Sequence, residues 1–261
     1  MDLTNQQQQN KQVLSQLESD GFSLVHRLCE PALTEHLLKV SREIEADIKK
    51  SLGTKKIGIG SRAGYREIVQ RSPGRWDIPI TSDQFAIDHQ QMPWWTFITD
   101  ILGQDAEHAF SGVVSSEPVS PEQHWHIDSP HEATEHLPAH AINVLIALTD
   151  LPLVMGPTEL ARGSHLLTNH LANSTLVSDQ LVYQHAGTSP VLLVNGACEA
   201  EPEYCSSAMS AGSGLIFDDR ILHRGMANLS ANTRHVAYFS YRRKGYLPYT
   251  HFESPRSIFD S

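Results

Sequence analysis

Two histidines and an aspartate carry the most chemistry in this chain. In Gln123-His124-Trp125-His126-Ile127-Asp128, His126 and Asp128 stand two positions apart, and on an extended strand residues so spaced project to one face. An imidazole and a carboxylate would thus aim at a common point. His223, closing Asp218-Asp219-Arg220-Ile221-Leu222-His223, is the best candidate for a third ligand. Two histidines and one carboxylate form the facial set that holds Fe(II) and leaves neighbouring coordination positions open, as a bidentate cosubstrate and O2 both require. Arg234 follows His223 by 11 residues, and Asn228-Leu229-Ser230-Ala231-Asn232 between them reads as a turn. A hairpin there would bring His223 and Arg234 close on adjacent strands. An arginine turned inward beside a metal is costly unless it meets an anion, and its planar fork suits a carboxylate. A lone His-x-Asp pair is commonplace, and a lone strand arginine is more often a surface residue. The two halves together favour the metal reading.

Other metal chemistry competes for these residues. His124 and His126 form a His-x-His pair of the kind a cupin uses, with Glu132 downstream and His223 as the last ligand. A metal-dependent hydrolase is a further alternative on His124, His126 and His223. The cupin set leaves Asp128 and Arg234 without a role, and the hydrolase leaves Arg234 unexplained. Metal binding without oxidation is a third alternative, which the intact ligands disfavour.

The elements that must position these residues divide the chain. Asn5 to Glu18 reads as a helix with Val13, Leu14 and Leu17 on one side, Phe22 to Leu28 is an apolar run of strand length, and Pro31 opens a second helix. Ser51 to Pro79 reads as irregular and basic, with Arg62, Arg66, Arg71 and Arg75 among glycines, and Met92 to Leu102 as a third helix. From Glu107 onward short apolar segments (Phe110–Val114, Ile142–Leu148, Val191–Val194, Leu215–Phe217, His235–Tyr241) alternate with turn-rich stretches. That pattern suggests an antiparallel barrel or sandwich rather than βαβ units.

Composition narrows the function. The 261 residues suit one domain, and a formal net charge of -10 argues against a nucleic-acid surface. No apolar run approaches the length of a membrane span. Three cysteines are too few for a disulfide framework. Cys198 and Cys205 could pair, but reduced thiols are the simpler expectation. No signal-peptide pattern opens the chain and no peroxisomal tripeptide closes it, so a cytoplasmic protein is expected.

The core resembles the phytanoyl-CoA dioxygenase family of Fe(II)/2-oxoglutarate oxygenases. The resemblance rests on Gln123 to Asp128, on Asn143 to Leu151, on Met155-Gly156-Pro157-Thr158-Glu159-Leu160-Ala161-Arg162-Gly163-Ser164-His165, and on Gly214-Leu215-Ile216-Phe217 leading to His223-Arg224-Gly225, Asn228 and Arg234. Arg162 stands where the family commonly has proline. The resemblance implies a mainly β fold with flanking helices: one domain over 1–261, with residues 1–105 as mainly helical support and residues 106–245 as a double-stranded β-helix (jelly-roll) core. It implies His126, Asp128 and His223 as iron ligands, Arg234 on the distal carboxylate of 2-oxoglutarate, and O2 as the oxidant. Gln123, Asn143 and Thr158 occupy positions implied to contact the cosubstrate or support the metal. Asn143 fits strand parity with Leu145 and Ala147 facing the core. Gln123 lies three residues from His126, so alternation turns it away unless a bulge intervenes. His165 reads as structural and Trp125 as part of the barrel wall.

The implied activity is a 2-oxoglutarate-dependent dioxygenase that oxidises a small organic molecule and releases succinate and CO2. Halogenases of this superfamily lack the carboxylate ligand, so Asp128 favours hydroxylation or desaturation. The arginines of Ser61 to Trp76 either line the mouth and meet a substrate anion or are solvated loop charges, and Leu167 to Ser210 is a candidate lid. An acidic chain tilts the expected substrate towards a free small molecule rather than an acyl-CoA; oligomeric state is left open.

Overall fold

Alternation along the longest apolar strands sets the architecture. The computed structural model describes residues 3–169, 171–172, 193–194, 197–198, 202–247 and 254–260. The chain runs α1 (Leu3–Asp20), β1 (Phe22–Val25), α2 (Pro31–Leu52), β2 (Val69–Ser72), β3 (Arg75–Pro79), a one-turn α3 (Ser82–Phe85) and α4 (Trp95–Leu102). It continues through β4 (Glu107–Ser116), β5 (Ala141–Ala147), β6 (Thr158–Ala161), β7 (Leu193–Val194), β8 (Ala197–Cys198), β9 (Tyr204–Ser206), β10 (Gly214–Asp218), β11 (His223–Gly225) and β12 (Arg234–Arg242). Seven strands form one sheet in the order β1-β10-β5-β12-β4-β3-β2, with all six pairings antiparallel.

Its two faces differ. On β5, Ile142, Val144 and Ile146 join the core that α1, α2 and α4 cover, with Leu37, Trp94, Phe97 and Ile98. Leu145 and Ala147 point the other way, into a second cluster with Leu160, Leu215, Phe217 and Val236. β12 repeats the division, with Ala237, Phe239 and Tyr241 outward and Val236 inward. Period-two patterning with both faces apolar is what a sheet sandwiched between helices and a second sheet requires.

The second sheet, β11-β6-β9, lies across the inner face. Residues 123–126 extend it beside β11: Gln123 N donates to Gly225 O at 2.9 Å, and His126 and His223 exchange backbone hydrogen bonds of 3.0 and 2.9 Å. The result is a jelly roll with helices on the outside of its larger sheet.

The N-terminal region contributes more than helical support, because β1, β2 and β3 supply three of the seven strands. The stretch before Pro79, expected to be irregular, contains two of them; both are short, and a shift in pairing between Gln70 and Ser72 breaks the alternation. A second correction concerns His223 and Arg234. They do not flank a hairpin: β11 pairs with β6, whereas β12 pairs with β4 and β5. The chain between them crosses from one sheet to the other, fastened by Asn228, whose Nδ2 donates to Ser116 O at 2.9 Å and to Asn232 O at 2.8 Å. The two residues therefore belong to different sheets of the barrel.

α2 starts with Pro31 in its first turn and buries Thr34, Leu37, Ser41 and Glu45, a helical stripe containing one carboxylate. Glu45 accepts from Ser115 Oγ at 2.5 Å and pairs with Lys49 at 2.8 Å and with His235 on β12 at 3.0 Å. At the end of α1, Gly21 has φ +82, and a Cβ there would lie 2.5 Å from His165 Nδ1, so the helix stop and the closeness of His165 both demand glycine. His165 Nε2 meets Glu18 O at 3.2 Å, and Arg162 pairs with Asp20. Both residues thus tie β6 to α1. Most of Leu167 to Ser210, the candidate lid, lies outside the described residues. Among the described residues no helix is long and apolar enough to cross a membrane.

Candidate active site

Three side chains from two places in the chain meet between the sheets. His126 and Asp128 leave the strand-like 123–128 segment, and His223 opens β11. His126 Nε2 lies 3.9 Å from one Asp128 carboxylate oxygen, and His223 Nε2 lies 3.7 Å from the other. The three ligand atoms fall within 4.8 Å of one another, and among the described residues no other group of three or more His, Cys, Asp and Glu side chains converges this way.

Backbone carbonyls fix both rings. His126 Nδ1 is 2.8 Å from His124 O, and His223 Nδ1 is 3.0 Å from Ile221 O. A carbonyl only accepts, so each Nδ1 carries the proton and each Nε2 is left as an electron-pair donor facing the carboxylate. Burial, and then the neighbouring His223, push His126 down to about 4, so its imidazole is neutral near neutrality. Phe217 closes over His223 at 4.9 Å between ring centroids.

The carboxylate is held from behind. Asn143 Nδ2 donates to Asp128 Oδ2 at 2.7 Å, and Ser240 Oγ on β12 donates to Asn143 Oδ1. The Asp128 backbone N–H donates to Asp219 O at 2.8 Å. Asp219 in turn accepts from Ser129 Oγ, which lies 2.7 Å from His140 Nε2. Asn143 shares the inner face of β5 with Leu145 and Ala147, as parity required, and its observed contact is with the aspartate.

Further in, two arginines stand where no acid does. In the sheet register Ser116 on β4 is directly opposite both Arg75 on β3 and Arg234 on β12, so all three project to the inner face. Arg75 is 0% and Arg234 3% exposed. Arg75 donates to Gln123 Oε1, Pro121 O and Met226 O, and Arg234 to Gly156 O. Neither is paired with a carboxylate among the described residues, and Arg75 Nε, Arg234 Nε and Ser116 Oγ are buried without partners. Burial, reinforced by the charge of Arg234, pulls Arg75 down to about 9, and burial pulls Arg234 down to about 10. Both remain charged near neutrality. Two buried cations flanking an unsatisfied hydroxyl make a cradle for an anion.

Gln123 joins the cradle through a bulge. Three steps along 123–126 face two along 223–225, so one extra residue is accommodated. The side chain of Gln123 consequently turns inward, where Oε1 accepts from Arg75 at 3.0 Å and from Gly225 N at 3.1 Å. Any Cβ at Gly225 would collide with the Arg75 guanidinium and Gln123 Oε1, so the glycine of His223-Arg224-Gly225 opens the path for Arg75. Thr158 sits directly opposite Gly225 on β6 and shares its inward face.

Some residues are not brought in. His124 contributes only its carbonyl, and Glu132 lies 3.6 Å from His140 Nδ1; the cupin ligand set is not assembled. Trp125 packs in the outer wall against Tyr204 and beneath Arg224. Arg75, Ser116 and Asp219 were not legible as site residues: Arg75 was one of four arginines in a basic stretch, and nothing local marks which of them enters the barrel.

A jelly roll holding two histidines and a carboxylate opposite a buried arginine pair defines the non-haem iron oxygenase class. The model of the phytanoyl-CoA dioxygenase (PhyH) family matches residues 17–236, and the chain belongs to that family. It is 23% identical over 262 residues to the dioxygenase trt7 of Aspergillus terreus, which covers 96% of this chain and 80% of the relative. Among solved structures it is similar to AviO1 from Streptomyces viridochromogenes (TM-score 0.63, 14% identity, 92% of this chain and 97% of that one). It is also similar to the epimerase SnoN from nogalamycin biosynthesis in complex with Fe3+, alpha ketoglutarate and nogalamycin RO (TM-score 0.60, 15% identity, 91% and 84%). These last likenesses show the fold.

Proposed function

We propose that this protein is an Fe(II)- and 2-oxoglutarate-dependent dioxygenase that hydroxylates a C–H bond of a small organic molecule. The observation that carries the reading is the Arg75–Ser116–Arg234 cradle set inside the same barrel as the His126–Asp128–His223 centre. A hydrolase or a storage protein needs the metal ligands only; a dicarboxylate cosubstrate needs both features.

His126 Nε2, His223 Nε2 and one oxygen of Asp128 would hold the iron, and Arg234 with Arg75 would hold the distal carboxylate. When bound, iron and 2-oxoglutarate supply the activation of O2, with loss of CO2 and release of succinate. The chain's own residues do the positioning. The carbonyls of His124 and Ile221 keep both imidazoles in the ligating tautomer, and Asn143 holds Asp128 Oδ2 so that the other oxygen faces the metal. Gln123 braces Arg75, and Phe217 limits water on the His223 side. The C–H bond held nearest the centre is the one oxidised. An epimerase shares the fold, so the product is a separate question, and the retained carboxylate ligand sets hydroxylation or desaturation above halogenation. The net charge of -10 supports a substrate that is not a nucleic acid.

The test is anaerobic titration with Fe(II) and then 2-oxoglutarate. A weak visible charge-transfer band is expected, abolished by His126→Ala and weakened by Arg234→Met. Absence of the band in the unaltered protein, with zinc bound in its place, would return the site to hydrolase chemistry. Mass spectrometry of a converted substrate separates one added oxygen from an unchanged mass, as in epimerisation.

A further inference from the structure

One wall of the barrel beside the metal ligands has no part in holding iron or cosubstrate. On the inner face of the large sheet, Phe110 of β4 pairs with Ser240, which pairs on its other side with Asn143, the residue that holds Asp128. Phe110 therefore stands in the same cross-strand row as the metal carboxylate's support. It is 49% exposed, although the next inward position of β4 is buried. A half-exposed phenyl on the concave face of a barrel is a binding surface rather than core.

The next row continues that surface. Tyr238 lies opposite Gly112, where a Cβ would meet the tyrosine hydroxyl at 2.5 Å. Only glycine lets the ring lie across β4, and the hydroxyl reaches Asp77 Oδ1 at 2.8 Å on β3. Phe110 meets Tyr238 edge-on at 6.2 Å. The second oxygen of Asp77 accepts from Arg71 Nε and Nη2 at 2.8 and 2.5 Å, while Arg71 Nη1 donates to Ser61 Oγ at 2.8 Å. These bonds use three of the five guanidinium N–H groups, and the side chain keeps 34% of its surface exposed. Arg71 joins the wall through Asp77, whose other oxygen takes the Tyr238 hydroxyl.

The charge arrangement decides what this wall can take. Asp77 neutralises Arg71, so the wall offers N–H donors without net positive charge. A phosphate or carboxylate there would face Asp77 and Asp128, and Arg71 is already paired with Asp77. An uncharged oxygen acceptor meets the remaining donors at little desolvation cost, and its apolar body covers Phe110 and the face of Tyr238.

Resting on the proposed oxygenase function, we infer that Phe110, Tyr238 and the Asp77-braced Arg71 form the substrate wall, and that it selects an uncharged, largely apolar molecule carrying a carbonyl or hydroxyl over a carboxylic acid or a CoA thioester.

The experiment uses the full chain loaded anaerobically with Fe(II) and 2-oxoglutarate. Probes are a set of uncharged cyclic and open-chain ketones and alcohols, the matching carboxylic acids, and palmitoyl-CoA. Binding is read by calorimetry and by displacement of the visible band. Members of the uncharged set are expected to bind and shift the band, and Phe110→Ala and Arg71→Lys should each weaken that binding by about tenfold or more. Phe110→Leu keeps apolar volume and should lose less, which guards against misfolding of the alanine variant. The inference is overturned if only acids or palmitoyl-CoA bind, if no uncharged probe binds, or if Arg71→Lys weakens 2-oxoglutarate and leaves the uncharged probes untouched. Failure of the oxygenase reading looks different, because then no band forms before any probe is added.

Discussion

Of the three proposed ligands Asp128 depends most on its neighbours, because it is the most exposed, its side chain keeping 38% of its surface. A carboxylate so placed rotates freely unless one oxygen is held, and Asn143 holds it at 2.7 Å. Asn143→Leu keeps the volume and removes the donor. It is expected to weaken Fe(II) binding by about 10–100-fold, read by competition with a chelator under anaerobic conditions; unchanged affinity would mean that Asn143 serves the cosubstrate instead. The arginine cradle makes a separable prediction. Among the described residues Arg75 and Arg234 are buried cations without a paired carboxylate, so a dicarboxylate whose distal end they hold would stabilise the folded chain. At about 100 times its dissociation constant that stabilisation is roughly 2.7 kcal/mol. Arg234→Met should abolish the rise in Tm that 2-oxoglutarate produces and leave the rise produced by metal alone.

Individual elements explain which of these features the sequence displayed. The His126–Asp128 pair was visible because it is local, two residues on one extended segment. Arg75 was hidden because the strands that carry it inward are short and follow no clean alternation. Gln123 looked misdirected for want of a bulge, and a bulge between residues 123 and 126 depends on pairing with β11, a partner 100 residues away in the chain. The spacing of His223 and Arg234 suggested a hairpin because a turn sequence does lie between them; only the partners of β11 and β12 reveal a crossing between sheets. Glu45, on the buried stripe of α2, was equally unreadable, since its partners Ser115 and His235 come from two other strands. Burial alone would raise its pKa, but hydrogen bonds from His235, Lys49 and Ser115 and the Lys49 charge lower it from 4.5 to about 2. A depressed folded-state pKa stabilises fully above the unfolded value, and the benefit is lost as pH falls from about 4.5 through about 2, a span worth roughly 3 kcal/mol. Lys49 is shared with Glu117, so both carboxylates face the same cation. Glu45→Gln should therefore flatten the acid limb of a urea-stability profile below pH 5 or so; an unaltered limb would mean that α2 is clamped by its apolar face alone.

At the scale of the whole molecule, one strand joins the chemistry to the scaffold. The inward residues of β12, Arg234, Tyr238 and Ser240, serve the cradle, the substrate wall and the support of Asp128. Its outward residues, His235, Phe239 and Tyr241, bind the helical layer. Tyr241 is fully buried there; Trp94 Nε1 donates to its oxygen at 2.7 Å, and His89 Nδ1 lies 2.8 Å from the same atom. Tyr241→Phe removes one oxygen and leaves the buried Trp94 indole N–H and the half-buried His89 Nδ1 without their partner, a loss of about 1–3 kcal/mol. For a domain this large that lowers Tm by roughly 2–4 °C per kcal/mol. The lost contact points away from the barrel interior, so the 2-oxoglutarate dissociation constant should stay within about twofold, the coupling expected of distant sites. Denaturation and cosubstrate titration on the same preparation provide the comparison. A fall in cosubstrate affinity as large as the fall in stability would show that outer packing sets the inner geometry, and that the two faces of β12 act as one unit.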